Sequence, residues 1–466
     1  MMPMWTYALK FSLRSLGREL LRNFWSRTFV YPSLIANERS AATLAAYRRR
    51  RADAVGIELD NDSDSGATRL RRLAGGQCAG LLTKQDVRRH PQRLVRSRSP
   101  LRPGAWLRTT IKTSGTSGSP LTIVQSAANP VREEGFVYRQ LRWIGYRHGQ
   151  RRAWIRGDIV CPDHPHDGRY WCRDWVGNML MMSSYHLSNR TIEGYVDALE
   201  RFDPVVIHAY PSSVAALAAW LAAAGRRYRG AALRGVMTSS ETLEPAVRAQ
   251  VEQVFGVRVF DWYGQAERVA AIGTCEQGRY HVLTDYADVA LLDGEDTDSD
   301  VVNDGRAELV GTTLNNAAMP LQRYRTGDSV VPDGAPCPCG RVFPTVKAVI
   351  GRQERIITLP DGRIVARLDR VFQGHDRRLL EGQVLYRGGF DFVLRVVVAE
   401  GFTDADATLL ADKFLLRVPG ADVSVERVDA IARGPNGKFE FIAIAAGAVD
   451  PSASAAGASA SVFAGR

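Results

Sequence analysis

The sequence predicts a large mixed α/β body followed by a small α+β C-terminal domain, and three observations carry that prediction. At 466 residues the chain exceeds what one hydrophobic core usually organises, implying about two to three domains. Short apolar strands alternate with helical runs through its middle. Near Gly351 a glycine and several charges mark a boundary, beyond which new strands begin around Ile356, Val365 and Phe392 to Val398.

The first 110 residues read as a basic, largely helical region packed on the body. Residues 5–54 place Leu9, Phe11, Leu13, Leu16 and Leu20 among arginines, the pattern of an amphipathic helix that packs on the body or lies on a membrane surface. This region carries the whole charge excess of the +11 chain, with 21 Lys/Arg against 8 Asp/Glu, leaving 40 against 42 elsewhere. Its densest pieces are Arg48 to Arg51, the Arg69, Arg71, Arg72 group and Arg88 to Arg108. A solvated face or a dock for an acidic partner accounts for them, and the lack of interleaved aromatics argues against nucleic acid. Residues 56–66 are polar and loop-like.

Residues 111–350 form the core of the large domain. Pro204 to His208 reads as a buried strand, Ser212 to Ala224 as a helix and Leu233 to Met237 as a strand. Glu244 to Phe255 follows as a helix opened by Pro245, then Val257 to Trp262 as a strand. Residues 356–447 make the small domain, and the Ser/Ala/Gly-rich 448–466 a disordered tail.

With 45% hydrophobic and 24% charged residues the chain is globular in composition, which excludes a disordered or collagen-like protein. No segment reaches the roughly 18 to 20 uncharged apolar residues of a membrane span. Lys10, Arg14, Arg18 and Glu19 interrupt the opening segment, which disfavours a signal peptide. Six cysteines are too few for a disulfide framework and fit a reducing, cytoplasmic setting.

Two motifs suggest chemistry by residue type alone. In KTSGTSGSP, Thr113, Ser114, Thr116 and Ser117 supply hydroxyls, while Gly115 and Gly118 let the backbone approach a polyanion. The Gly-Lys-Ser/Thr ending of a Walker A loop is absent, so by itself this is a phosphate cradle or a linker. Cys275, His281, Cys337 and Cys339 match the number and softness of a closed tetrahedral zinc site, with buried free thiols as the alternative. The aromatic stretch Trp143, Tyr146, Trp154, Trp171, Trp175 is assigned mainly to core packing, and His164, His166 and Asp167 to a solvated turn.

Seven segments in order then resemble the adenylate-forming ligase superfamily, within it the branch of phenylacetate-CoA ligase and its capsule-biosynthesis relatives. They are KTSGTSGSP (112–120), AYPSS (209–213), TSSETLEP (238–245), DWYGQAE (261–267), LQRYRTGD (321–328), VIGRQERI (349–356) and GPNGKF (434–439). The resemblance spans about Thr83 to Ile444. It implies activation of a carboxylic acid with ATP and Mg²⁺ to an acyl-adenylate, with release of pyrophosphate. Transfer to CoA, a carrier-protein thiol or an amine would follow. It also implies that the loop 113–118 binds phosphates, that Tyr263 and Gly264 face adenine beside Glu241, and that Asp328 takes the ribose hydroxyls. Glu267 would ligate Mg²⁺, Arg352 would reach ribose or phosphate, and Lys438 would swing in on a mobile small domain to stabilise the adenylation transition state.

Glu354 falls at the hinge, 351–355, although Gln353, Glu354, Arg355 replace the usual Ser-Asp-Asp, and Ser119 stands where many relatives carry lysine. Tyr210, Ser212 and Ser240 would flank the acid, and an aromatic acid would suit the aromatic-rich stretch before them. Structural zinc occurs in some relatives at positions matching the Cys/His set. The departures keep open a second reading, an inactive nucleotide-binding scaffold that binds partners through its basic region. The acid, the acceptor and the oligomeric state, a dimer among the options, are not legible.

Overall fold

A computed structural model describes residues 3–59, 64–73, 80–96, 108–112, 121–162, 165, 167–188, 190–293, 305–350, 357–365, 368–372, 378–398, 401–431 and 441–445. Helix α1 (Met4–Arg18) runs through two wider π-helical turns, Glu19–Asn23 and Ser26–Val30, into α2 (Tyr31–Asn37). Helix α3 (Ala41–Val55) starts at Ser40, whose hydroxyl accepts the Thr43 N-H, and stops at Gly56, whose φ of 71° favours glycine.

Two expectations for this region need correction. Helix α1 does pack on the body, but through Ala8, Phe11 and Ser12, whereas Leu9, Leu13, Leu16 and Leu20 are exposed. The buried set recurs at three and four residues, and Leu9 and Leu13, each one position on, are turned about 100° away from it, onto a neighbouring exposed stripe with Leu16 and Leu20. Of Arg48 to Arg51, only Arg49 and Arg50 are exposed. Arg48 is buried against Asp288 at 2.6 Å, and Arg51 Nε donates to the Leu314 carbonyl at 3.1 Å, because both lie on the face of α3 that carries Leu44, Ala52 and Val55.

Strands β1 (Arg71–Leu73), β4 (Arg152–Arg156), β5 (Trp171–Asp174), β6 (Met179–Ser183), β7 (Val206–Ala209), β8 (Gly235–Ser239) and β9 (Arg258–Gly264) join the main sheet. So do β10 (Ala271–Thr274), β11 (Tyr280–Val282), β12 (Ala287–Asp293), β13 (Ala307–Thr313), β14 (Tyr324–Asp333) and β15 (Thr345–Ile350). The spatial order is β1-β12-β13-β14-β15-β11-β10-β9-β8-β7-β4-β6-β5. Strands β2 (Arg108–Lys112) and β3 (Thr122–Ser126) pair separately, antiparallel.

Strands β9, β8, β7, β4 and β6 run parallel. Parallel neighbours need crossovers, supplied by helices Ile192–Phe202, Pro211–Ala223 and Pro245–Phe255. Helices on the sheet explain why β7 and β8 are buried throughout. The expected strand-helix-strand series from 204 to 262 is therefore present, with ends shifted by about two residues. From β4 the chain winds outward in both directions, to β6 on one side and β7 on the other. That makes its carboxyl end a topological switch point, where open α/β sheets bind ligands.

The C-terminal elements bury an apolar cluster of their own around Phe392, Leu394, Leu410 and Phe414. Strands β16 (Ile357–Thr358) and β17 (Ile364–Val365) form a hairpin. Strands β18 (Leu379–Gly388), β19 (Asp391–Val398), β20 (Asp422–Arg427) and β21 (Ile442–Ile444) form a sheet ordered β20-β19-β18-β21. Helix Asp404–Leu415 crosses between parallel β19 and β20, opened by reciprocal capping between Thr403 and Asp406. No helix among the described residues is long and apolar enough to cross a membrane.

Candidate active site

The carboxyl ends of β4, β7, β8 and β9 gather most of the candidate side chains that the structure describes. At the end of β9, the Tyr263 hydroxyl lies 2.8 Å from Asp328 Oδ2 and 2.9 Å from Gln265 Oε1. Burial, reinforced by the Asp328 carboxylate, pushes the Tyr263 phenol well above its ordinary range, so it stays a neutral donor. Glu267, in the turn that follows, accepts from the Tyr324 hydroxyl at 3.3 Å. Tyr324 and Asp328 lie on either side of an irregularity in β14, where Gly327 adopts φ 73° and the pairing with β13 shifts register. The segments 261–267 and 321–328 thus form one polar cluster. Gly264 ends β9 in an exposed position, and a Cβ there would come within 3.2 Å of Trp262 Nε1.

Across β8 a second group faces the switch point. Glu241 accepts from the Ser212 backbone N-H at 2.9 Å and its hydroxyl at 3.0 Å. Its charge sits at the N-terminus of helix Pro211–Ala223 and completes that helix's first turn from a neighbouring segment. Ser240 adopts φ 75°, strained for a residue with a side chain, and its hydroxyl accepts from Arg156 Nη2 at 2.5 Å. Arg156 also lies over the rings of Trp154 and Tyr210, at 4.9 and 5.2 Å.

Arg156 and His208 escaped the sequence reading, because no motif marks them. The only trace was a histidine inside the apolar run PVVIH. His208 Nε2 is 3.2 Å from Ser239 Oγ and 3.4 Å from Arg156 Nη1. Burial, then the Arg156 and Arg152 charges, hold its imidazole well below its usual pKa, so it is neutral. The buried His208 Nδ1 and Tyr210 hydroxyl have no hydrogen-bond partner among the described residues. Orphaned polar atoms at the strand ends suit a polar ligand group. Of the aromatic stretch, Trp143 and Tyr146 are core residues, as expected, whereas Trp175 is exposed.

Thr113, Ser114, Gly115, Thr116, Ser117, Gly118 and Ser119 lie outside the described residues, as do Arg352, Glu354, Lys438, His164 and His166. Strands β2 and β3, which flank the loop, pair Lys112 with Thr122.

On the other side of β9, Cys275, His281, Cys337 and Cys339 come together, all buried, with their ligand atoms within 4.8 Å of one another. Cys275 Sγ is 3.6 Å from Cys337 Sγ, and Cys339 Sγ 3.4 Å from His281 Nε2. His281 Nδ1 donates to the Phe343 carbonyl at 3.3 Å, which turns Nε2 toward the sulfurs. Burial pushes the Cys275 thiol up to about 12. At Cys339 burial is outweighed by the His281 and Arg341 contacts, which bring the thiol below its usual value. Gly340, at φ 72°, lets the Cys337–Cys339 turn close against Arg39, which donates to the Cys339 carbonyl at 2.7 Å. Three sulfurs and one nitrogen at this spacing fit tetrahedral zinc.

No family model matches the chain. Among curated proteins, Protein CapK of Staphylococcus aureus is 20% identical over 372 residues, covering 77% of this chain and 78% of that protein. Phenylacetate-coenzyme A ligase of Thermus thermophilus is 28% identical over 253 residues, or 53% of this chain and 55% of the ligase. The solved structure of 2-hydroxyisobutyryl-CoA ligase with 2-HIB-AMP and CoA is 17% identical, covering 94% of this chain and 90% of that one, with a TM-score of 0.45. The two sequence relatives agree with the seven ordered segments: the chain is similar to members of the adenylate-forming ligase superfamily, on its phenylacetate-CoA ligase-like branch.

Proposed function

We propose that this protein activates a carboxylic acid with ATP, forming an acyl-adenylate and releasing pyrophosphate, and then passes the acyl group to an acceptor. The observation that carries this reading is the convergence of Tyr263, Asp328 and Glu267 beside the switch-point group of Arg156, His208 and Tyr210. Tyr263 offers adenine a flat face, and Asp328 can accept from both ribose hydroxyls. Glu267 is a hard oxygen ligand suited to Mg²⁺, which when bound offsets charge on the polyphosphate. Glu241 lines the adenine side while it orders helix Pro211–Ala223, and loop 113–118 cradles the phosphates.

A carboxylate oxygen of the acid attacks the α-phosphorus, and the bond to pyrophosphate breaks. Lys438 and Arg352 stabilise the charge that develops on the phosphate oxygens, with Glu354 at the hinge that delivers Lys438. The Tyr210 and His208 rings, with Trp154 and Arg156, favour a planar, aromatic acid, flanked by Ser212 and Ser240. CoA is the acceptor that the relative named phenylacetate-coenzyme A ligase favours, with a carrier-protein thiol or an amine as the alternatives. The Cys/His cluster holds structural zinc remote from the reacting atoms.

The test is acid-dependent exchange of labelled pyrophosphate into ATP across aryl and fatty acids. Exchange with at least one acid supports the proposal. Folded, nucleotide-binding protein that exchanges with none overturns it in favour of a scaffold.

A further inference from the structure

The exposed apolar surface of this protein is concentrated on one face. Of fourteen large hydrophobic side chains exposed among the described residues, ten lie between Trp5 and Ile35. Two more, Trp175 and Val176, occupy the turn between β5 and β6, where the Trp175 N-H donates to Ser12 Oγ of α1 at 3.0 Å. Trp5, Leu9, Leu13, Leu16, Leu20 and Phe24 recur at three and four residues, so they form one exposed stripe beside the face that packs on the body. The exposures are large, 62% at Trp5, 72% at Leu21 and 63% at Phe29. Helix α1 is fixed in this orientation by Ser15 on Asp174 at 2.5 Å and Arg14 on Asp158 at 3.3 Å. Its leucines therefore have no inward position to turn to.

Charge selects the occupant. Residues 1–37 carry Lys10, Arg14, Arg18, Arg22 and Arg27 against a single acid, Glu19. That acid is consumed within the helix by Arg27 and by Asn23 at 3.0 Å. Lys10 and Arg22 are exposed beside the stripe, while Arg14, also exposed, is paired with Asp158. A second copy seated here would set these cations against their own counterparts, whereas an anionic lipid surface complements them and takes up Leu, Phe and Trp at headgroup depth.

We infer that the segment from Trp5 to Phe29, roughly 35 Å long, lies in the interface of an anionic membrane with Trp175 beside it and docks the protein there as a peripheral, non-spanning guest. The inference stands apart from the proposed chemistry.

The test is sedimentation of the full chain with vesicles of phosphatidylcholine alone or equimolar phosphatidylcholine and phosphatidylglycerol. The expected result is stronger binding to the anionic vesicles, weakened by salt. Leu20→Ser/Phe24→Ser should lower partitioning by about ten-fold or more. Lys10→Gln and Arg22→Gln should each cost about five-fold on anionic vesicles only. Leu409→Ser/Leu416→Ser, which removes apolar surface elsewhere, should change nothing. No vesicle binding, binding indifferent to Leu20→Ser/Phe24→Ser, or a lipid-free dimer that this pair dissociates would each overturn the inference.

Discussion

The Tyr263 hydroxyl stands 2.8 Å from the carboxylate of Asp328 although 65 residues separate them. The contact joins the end of β9 to β14. Asp328→Ala should raise the KM for ATP by at least about ten-fold, since a good hydrogen bond to a charged group contributes about 1.5 to 3 kcal/mol. Tyr263→Phe keeps the ring but releases the carboxylate, for a change of about five-fold. Pyrophosphate exchange at varied ATP measures both, and an unchanged KM in Asp328→Ala would remove the ribose role.

Lys438 carries a different expectation. Its contribution is proposed to arise only as charge develops on the α-phosphate, so Lys438→Ala should slow acyl-adenylate formation by at least about 100-fold. Nucleotide affinity should hold. Pyrophosphate release and equilibrium nucleotide binding separate the two quantities, and unchanged release would strip the residue of its role.

The Cys/His cluster should hold about one zinc per chain. Cys339→Ser or His281→Ala should lower that content and the unfolding temperature together, because metal binding to a site formed only on folding stabilises the folded state. Elemental analysis beside thermal unfolding gives the answer. Well under one zinc per chain in the parent protein would return these residues to buried thiols.

Arg139 and Asp285 form a bidentate pair at 2.7 and 3.0 Å, with side chains 1% and 0% exposed. Asn37 donates to the same carboxylate at 3.1 Å, tying α2 to helix Ala128–Trp143 and the sheet. Asp285→Ala would leave the buried guanidinium with Glu38, at 3.7 Å, as its remaining carboxylate partner and should cost about 3 kcal/mol. Chemical denaturation reads this directly, and a change below about 1 kcal/mol would mean that the pair is relieved by another route.

The motif order singled out Tyr263, Glu267 and Asp328, which the fold brings together, and ligand number and softness singled out the Cys/His set, whose ligand atoms lie within 4.8 Å of one another. The parallel run β7, β8, β9 was legible from apolar strands spaced by helices. What escaped was decided by three-dimensional environment. Arg156 carries no linear mark, and its importance comes from β4 lying at the switch point. Arg48 looks like its neighbours in a basic run, yet helical phase buries it on Asp288. The leucines of α1 read as an inward face until Phe11 and Ala8 took that place.

His208 gives acid sensitivity a specific origin. Its neutral ring is enclosed by Trp154 at 4.6 Å, Ser239 and the cationic Arg156, with Arg152 contributing a second positive charge. Nothing there welcomes a proton, so its folded pKa is held well below the unfolded value of about 6.5. As pH falls from about 6.5 the unfolded chain takes up a proton that the folded chain refuses, and stability declines by up to about 1.4 kcal/mol per pH unit from this group. Buried Asp261, whose pKa is raised by burial, acts in the opposite sense in the window above its ordinary value. His208→Gln removes the imidazole and should flatten the decline between about pH 6.5 and 5. Unfolding free energies measured across that window for both proteins provide the comparison, and parallel pH profiles would exclude His208 as the source.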